Sequence, residues 1–133
     1  MNKLVARFVD GRMVKGATLD FSPAKDVFHV AVATPAAERT TPTTIYTREL
    51  KALFFVKDLA GDPDHVEKKE FHSAPPPGGR RIRAAFRDGE VLVGTTTSYQ
   101  PGLPGFYLTP ADAESNNERC YVVATATRDV SFL

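Results

Sequence analysis

The stretch "VARFVDGRMVKGATLDFSP" at residues 5–23 returns at residues 83–101 as "RAAFRDGEVLVGTTTSYQP". Aligned without a gap at an offset of 78, Ala6 falls on Ala84, Phe8 on Phe86, Asp10 on Asp88 and Gly11 on Gly89. Gly16 falls on Gly94, Thr18 on Thr96 and Pro23 on Pro101, which makes seven identities in the twenty pairs from Leu4/Ile82 to Pro23/Pro101. Average composition gives roughly one or two. Self-similarity at a fixed spacing is the mark of an internal duplication.

Each copy has the same physical logic. Leu4, Ala6 and Phe8 alternate with Val5, Arg7 and Val9, the period of a half-buried strand. Asp10-Gly11 and Asp88-Gly89 follow, a dipeptide that tolerates the positive φ of a tight hairpin. In the next strand Gly16 and Gly94 hold the same mid-strand place, where a glycine marks a bulge or bend. A strand that must curl suggests closure into a small barrel.

After Pro23 and Pro101 a third strand is expected in "VFHVAVA" and "GFYLTP". Two more are expected within residues 44–56 and within 119–133. Matching Leu53-Phe54-Phe55 to Val130-Ser131-Phe132 needs an offset of 77, so one residue is lost in the preceding loop. Polar loops are expected at 33–44 and 111–119. The reading is therefore an all-β protein: two tandem five-stranded small barrels at residues 1–57 and 80–133, joined by a linker at 58–79. The linker ends in the run "PPPGG", and Asp62 is placed to cap a short helix over 63–69. Barrels of ~50 residues are marginal alone and need to pack together. The apolar excess at Phe54 and Phe55 marks the last strands for a shared interface, or for a homodimer contact.

Composition narrows the partners. The chain has 133 residues, 42% hydrophobic and 25% charged, with a net charge of +1. A nucleic-acid binder draws most of its affinity from phosphate neutralisation and carries a basic excess, which is missing here. Nothing approaches the roughly 18 consecutive apolar residues of a transmembrane helix. The opening "MNKLVARFVDG" enters a strand pattern without an apolar signal core. A single cysteine, Cys120, excludes an internal disulfide and fits a reducing compartment, so the expected location is the cytoplasm.

With these residues laid out, "FVDGRMVKGATLDF" resembles the first signature of Sm-like small β-barrels. Asp10, Gly11, Gly16 and Phe21 match it, as do Asp88, Gly89, Gly94 and Tyr99. The resemblance implies an RNA-binding relative, but the RNA-reading residues differ. Ser22-Pro23-Ala24-Lys25-Asp26 and Gln100-Pro101-Gly102-Leu103-Pro104 replace the Asp-x-x-Met-Asn loop, and no Arg-Gly pair precedes either last strand. The whole chain, "LKALFFVKD" and "SNNERCYVV" included, also resembles a bacterial family of unknown function associated with PilZ-containing cyclic di-GMP signalling proteins. That resemblance implies a signalling role and supplies no catalytic residues.

His29 alternates into the third strand, where the second copy has Tyr107, and reads as an outward side chain. His65 stands with Asp62, Asp64 and Glu67; a metal would need further ligands, and a capped polar turn explains the group more simply. His72 is the third histidine of the chain. Cys120 precedes an apolar run and reads as a packed hydrophobe. No Gly-x-Ser-x-Gly elbow, Walker loop or HExxH occurs, so neither an enzyme nor a cofactor or metal site is expected. Cyclic di-GMP binding lacks its motif: the arginines of "GRRIRAAFRDG" are followed by no Asp/Asn-x-Ser-x-x-Gly strand. Arg83 and Arg87, both facing away from the core on one side, remain the candidate binding residues. The expected function is a non-enzymatic protein-binding or adaptor module of bacterial signalling, with RNA or single-stranded nucleic-acid binding as the alternative.

Overall fold

The structure, a computed structural model, describes residues 2–32, 42–59, 79–112 and 114–133. The helix expected at 63–69, the cluster around His65, and His72 lie outside the described residues. The described residues form ten strands: β1 (Asn2–Phe8), β2 (Met13–Thr18), β3 (Val27–Val32), β4 (Thr43–Tyr46) and β5 (Leu50–Val56), then β6 (Arg80–Phe86), β7 (Val91–Thr96), β8 (Gly105–Pro110), β9 (Asn117–Val123) and β10 (Thr127–Phe132). Short 3-10 turns at Thr47–Glu49 and Ala124–Ala126 precede β5 and β10.

The expectation of two tandem closed barrels packed together is corrected. All ten strands form one antiparallel sheet in the order β10-β6-β7-β8-β9-β5-β1-β2-β3-β4, and the sheet is open, ending at β10 and β4. The join is β5 against β9, with Leu53 opposite Tyr121 and Phe54 opposite Cys120. Each of the two cores draws residues from both halves because each joining strand faces both ways. Ala52, Phe54 and Val56 point into a core with Ile82, Ala84, Phe86 and Phe106. Leu50, Leu53 and Phe55 point into a second core with Leu4, Phe8, Phe28 and Ile45. Strand β9 divides likewise, Cys120 and Val122 to the first core, Tyr121 and Val123 to the other. A strand buried on both faces loses its alternation and reads as a continuous apolar run. That is why "LFFV" carries more apolar surface than one small unit can cover.

The two sets of five strands make the same pairings. Leu4 opposes Gly16 and Ala6 opposes Val14 in β1–β2; Ile82 opposes Gly94 and Ala84 opposes Leu92 in β6–β7. Ala6 opposes Leu53 and Leu4 opposes Phe55, while Ala84 opposes Val130 and Ile82 opposes Phe132. Both of these ladders carry a register shift at the same place. Ile45 and Val122 occupy matching positions opposite Phe28 and Phe106, so the offset falls to 77 between the third and fourth strands.

Local chemistry repeats with it. Gly11 and Gly89 have φ of 95° and 94°, and no other residue type takes a positive φ among the described residues. Gly11 N–H donates to the Phe8 carbonyl and Phe8 N–H to the Arg12 carbonyl. The glycine thus supplies the left-handed residue of a three-residue loop. The aspartate's role is different: Asp10 accepts the Arg12 N–H at 3.0 Å, and Asp88 the Glu90 N–H at 2.9 Å. Thr18 and Thr96 donate their hydroxyls to the carbonyls of His29 and Tyr107, at 2.8 and 2.6 Å. The bend glycines have a concrete cause. A Cβ on Gly16 would overlap the Ala31 carbonyl oxygen, and one on Gly94 that of Thr109. The neighbouring strand leaves room for a hydrogen atom only.

Candidate functional site

The join between the halves gathers charge at one end of β5. Lys51 is 8% exposed although it carries a cation. Its Nζ donates to Asp88 at 2.7 Å and to Glu90, both on the β6–β7 hairpin, and lies 4.8 Å from the centre of the Phe86 ring. A buried ammonium is tolerated where carboxylates and hydrogen bonds replace its water. The hydrogen bond from Lys51, followed by the Glu90 N–H, holds the Asp88 carboxyl below the usual carboxylate range. The hairpin is also tied to the turn before β10. Arg87 N–H donates to the Ala126 carbonyl at 3.0 Å and Arg87 Nε to the Thr125 carbonyl at 2.9 Å.

These groups edge a cleft of about 380 Å³ lined by Val9, Arg48, Lys51, Phe86, Arg87, Asp88, Thr125 and Ala126. Its walls come from both halves. Arg48 pairs with Asp26 and stacks on the Tyr46 ring at 4.8 Å. Lys51 is neutralised as described. Arg87 is exposed, bonded to a backbone carbonyl, and has no carboxylate partner among the described residues. Arg48 and Thr125 also line a smaller cavity of about 240 Å³, with residues 23–26, Thr47, Pro104 and Tyr121. Burial raises the Tyr121 hydroxyl above its ordinary range.

At the far end of the join, Asn116 clasps residue 58. Asp58 N–H donates to Asn116 Oδ1 at 2.9 Å, Asn116 Nδ2 returns a bond to the Asp58 carbonyl at 2.8 Å, and Lys57 N–H donates to the Asn116 carbonyl. Arg119 lays its guanidinium 4.7 Å from the Phe55 ring across the join.

Of the two candidate binding residues, the structure brings one to the cleft. Arg87 lines it; Arg83 is half-buried in the middle of β6, opposite Val93 and Ser131. Of the residues expected at turns and bends, Gly11 and Gly89 take positive φ beside Asp10 and Asp88, Gly16 and Gly94 lie within β2 and β7 against a neighbouring carbonyl, and Asp88 also binds Lys51. Lys51, Glu90, Arg48 and Thr125 escaped the sequence reading. One signal existed: Lys51 is the sole charge in the buried strand "LKALFFV". His29 is exposed as expected and binds Asp20 through Nδ1 at 2.7 Å, which with the His29 N–H lowers the Asp20 carboxyl to about 2. Cys120 is fully buried inside β9. Among the described residues no three His, Cys, Asp or Glu side chains are grouped as metal ligands, and no helix is long and apolar enough to cross a membrane.

Fold and join define an all-β protein whose two matching sets of strands are fused into a single open antiparallel sheet. Residues 1–133, the whole chain, match a family of unknown function, DUF6982, and the protein belongs to that family. No curated protein and no solved structure matches it.

Proposed function

We propose that the protein is a non-enzymatic adaptor that docks an acidic segment of a partner protein in the cleft between its halves. The observation that carries the reading is Arg87: an exposed guanidinium at an apolar-floored cleft, oriented by the Thr125 carbonyl and without a carboxylate of its own. Its planar fork suits a carboxylate, and Val9, Phe86 and Ala126 suit an aliphatic or aromatic neighbour on the same segment. The other charges there already engage one another, which favours recognition over proton transfer. We further propose that the two halves descend from one duplicated Sm-like unit and that the scaffold was kept while the RNA-reading loops were lost. The setting is cytoplasmic bacterial signalling, as the PilZ-associated resemblance implies.

The test is fluorescence polarisation with a labelled Asp/Glu-rich peptide containing one aromatic residue, beside a mixed-sequence single-stranded RNA. The adaptor reading expects peptide binding that falls about tenfold or more with Arg87→Glu, since truncating a desolvated charge pair costs at least ~2 kcal/mol. Arg83→Glu alone, outside the cleft, changes it less. RNA binding that weakens steeply with salt, without peptide binding, favours the nucleic-acid alternative instead.

A further inference from the structure

The join between the halves is heterologous: the fifth strand of one unit pairs with the fourth strand of the other. Such a contact uses two different surfaces, so making it once leaves one copy of each unused. Among the described residues those are β10, whose only neighbour is β6, and β4, whose only neighbour is β3. They occupy the places of β5 and β9 in the matching pairings. We propose that β10 of one chain pairs with β4 of a second copy, head to tail, repeating between chains the junction made within one.

The register follows from the internal one. Phe54 opposite Cys120 transfers to Ser131 opposite Thr43 of the next chain, and Leu53 opposite Tyr121 to Val130 opposite Thr44. A second observation points the same way. The two strongly exposed aromatic side chains among the described residues are Tyr46 at 40% and Phe132 at 39%, one on each free edge. Phe132 holds the place of Phe55, which is 4% exposed inside the internal junction. An open row of N–H and C=O groups flanked by aromatics is a template for strand addition.

The charge lock at the external junction is half-complete. Arg128 stands where Lys51 stands, and Asp10 of the next chain where Asp88 stands. Arg12 replaces the second acceptor, Glu90. Arg12 also occupies Asp10 already, at 2.7 Å. The external contact is therefore the weaker of the two, a reversible assembly beside a permanent fold. Ser131 and Thr43 in place of Phe54 and Cys120 weaken it in the same sense, with less apolar surface to bury.

Sedimentation velocity on the full chain across a wide concentration range tests this. The wild type should exceed its 14.5-kDa monomer mass as concentration rises. Arg12→Glu, which restores the second acceptor, should tighten assembly. Thr43→Lys with Ser131→Lys places like charges face to face and should weaken it about fivefold; Thr43→Glu with Ser131→Lys should recover it. Circular dichroism and melting temperature keep folding separate from assembly. A monomer at every concentration in both the wild type and Arg12→Glu would overturn the proposal. So would assembly indifferent to the charge pairs, which would place the contact elsewhere.

Discussion

At the scale of the residue, two glycines and one carboxylate make the sharpest statements. Gly16 and Gly94 lie in β-strand, where alanine ordinarily gains stability over glycine by restricting the unfolded chain. Here an added Cβ runs into a carbonyl oxygen of the neighbouring strand. Gly16→Ala and Gly94→Ala should therefore cost about 1–3 kcal/mol, and the valine variants more, read from urea denaturation. Unchanged midpoints would mean that β2 and β3 do not approach as described. Asp20 gives a pH signature. Its carboxyl is lowered from 3.8 to about 2 by hydrogen bonds from the His29 ring and backbone N–H. Its stabilising contribution is thus whole above the unfolded value and fades as pH falls through 4 toward 2. The stability gap between wild type and Asp20→Asn should hold steady near neutral pH and close over that acid window. A gap that widened on acidification would reverse the sign and refute the contact.

At the scale of the element, β5 is the strand on which the molecule turns. It is buried along its whole length, and Lys51 is its only charged residue. The carboxylates that hold Lys51 are about half exposed, at 54% and 45% of their side chains, whereas Lys51 is not. Removing the lysine leaves acids that water can solvate; removing the acids leaves a buried cation that it cannot. Asp88→Asn combined with Glu90→Gln should accordingly destabilise the fold more than Lys51→Met, by an amount approaching the ~3–5 kcal/mol of a broken buried pair. Equal or reversed losses in calorimetry would show that Lys51 reaches solvent. The strands themselves were legible because alternation and the Asp-Gly turns are local signals. Residues 4–8 and 82–86 say strand, and Gly11 and Gly89 say turn, without reference to anything distant. Partner choice is not local. "LKALFFV" announces a strand covered on both faces, but nothing in it names β9, and Phe132-Leu133 carry similar hydrophobicity at an exposed edge. The last strand of the second half was accordingly expected at the interface that its fourth strand occupies.

At the scale of the whole molecule, the matching strand pairings and the join together account for the single sheet of the described residues. Either half alone would expose one face of β5 or of β9, and a unit of that size has little stability to spare. The candidate cleft exists for the same reason: Arg48 and Lys51 come from one half, Arg87 and Asp88 from the other, and only the join brings them together. Arg87 was visible in the sequence as an outward-facing basic residue beside the repeated Asp-Gly. Its cleft was not, because its other wall lies 36 residues away at Lys51. The β5–β9 ladder is therefore the central structural claim, and backbone nuclear Overhauser effects measure it directly in isotope-labelled protein. The structure predicts cross-strand contacts joining Leu53 to Tyr121 and Phe54 to Cys120, with slowly exchanging amides on both strands. Absence of those contacts, with β5 and β9 each protected against some other strand, would contradict the fused sheet and remove the cleft with it.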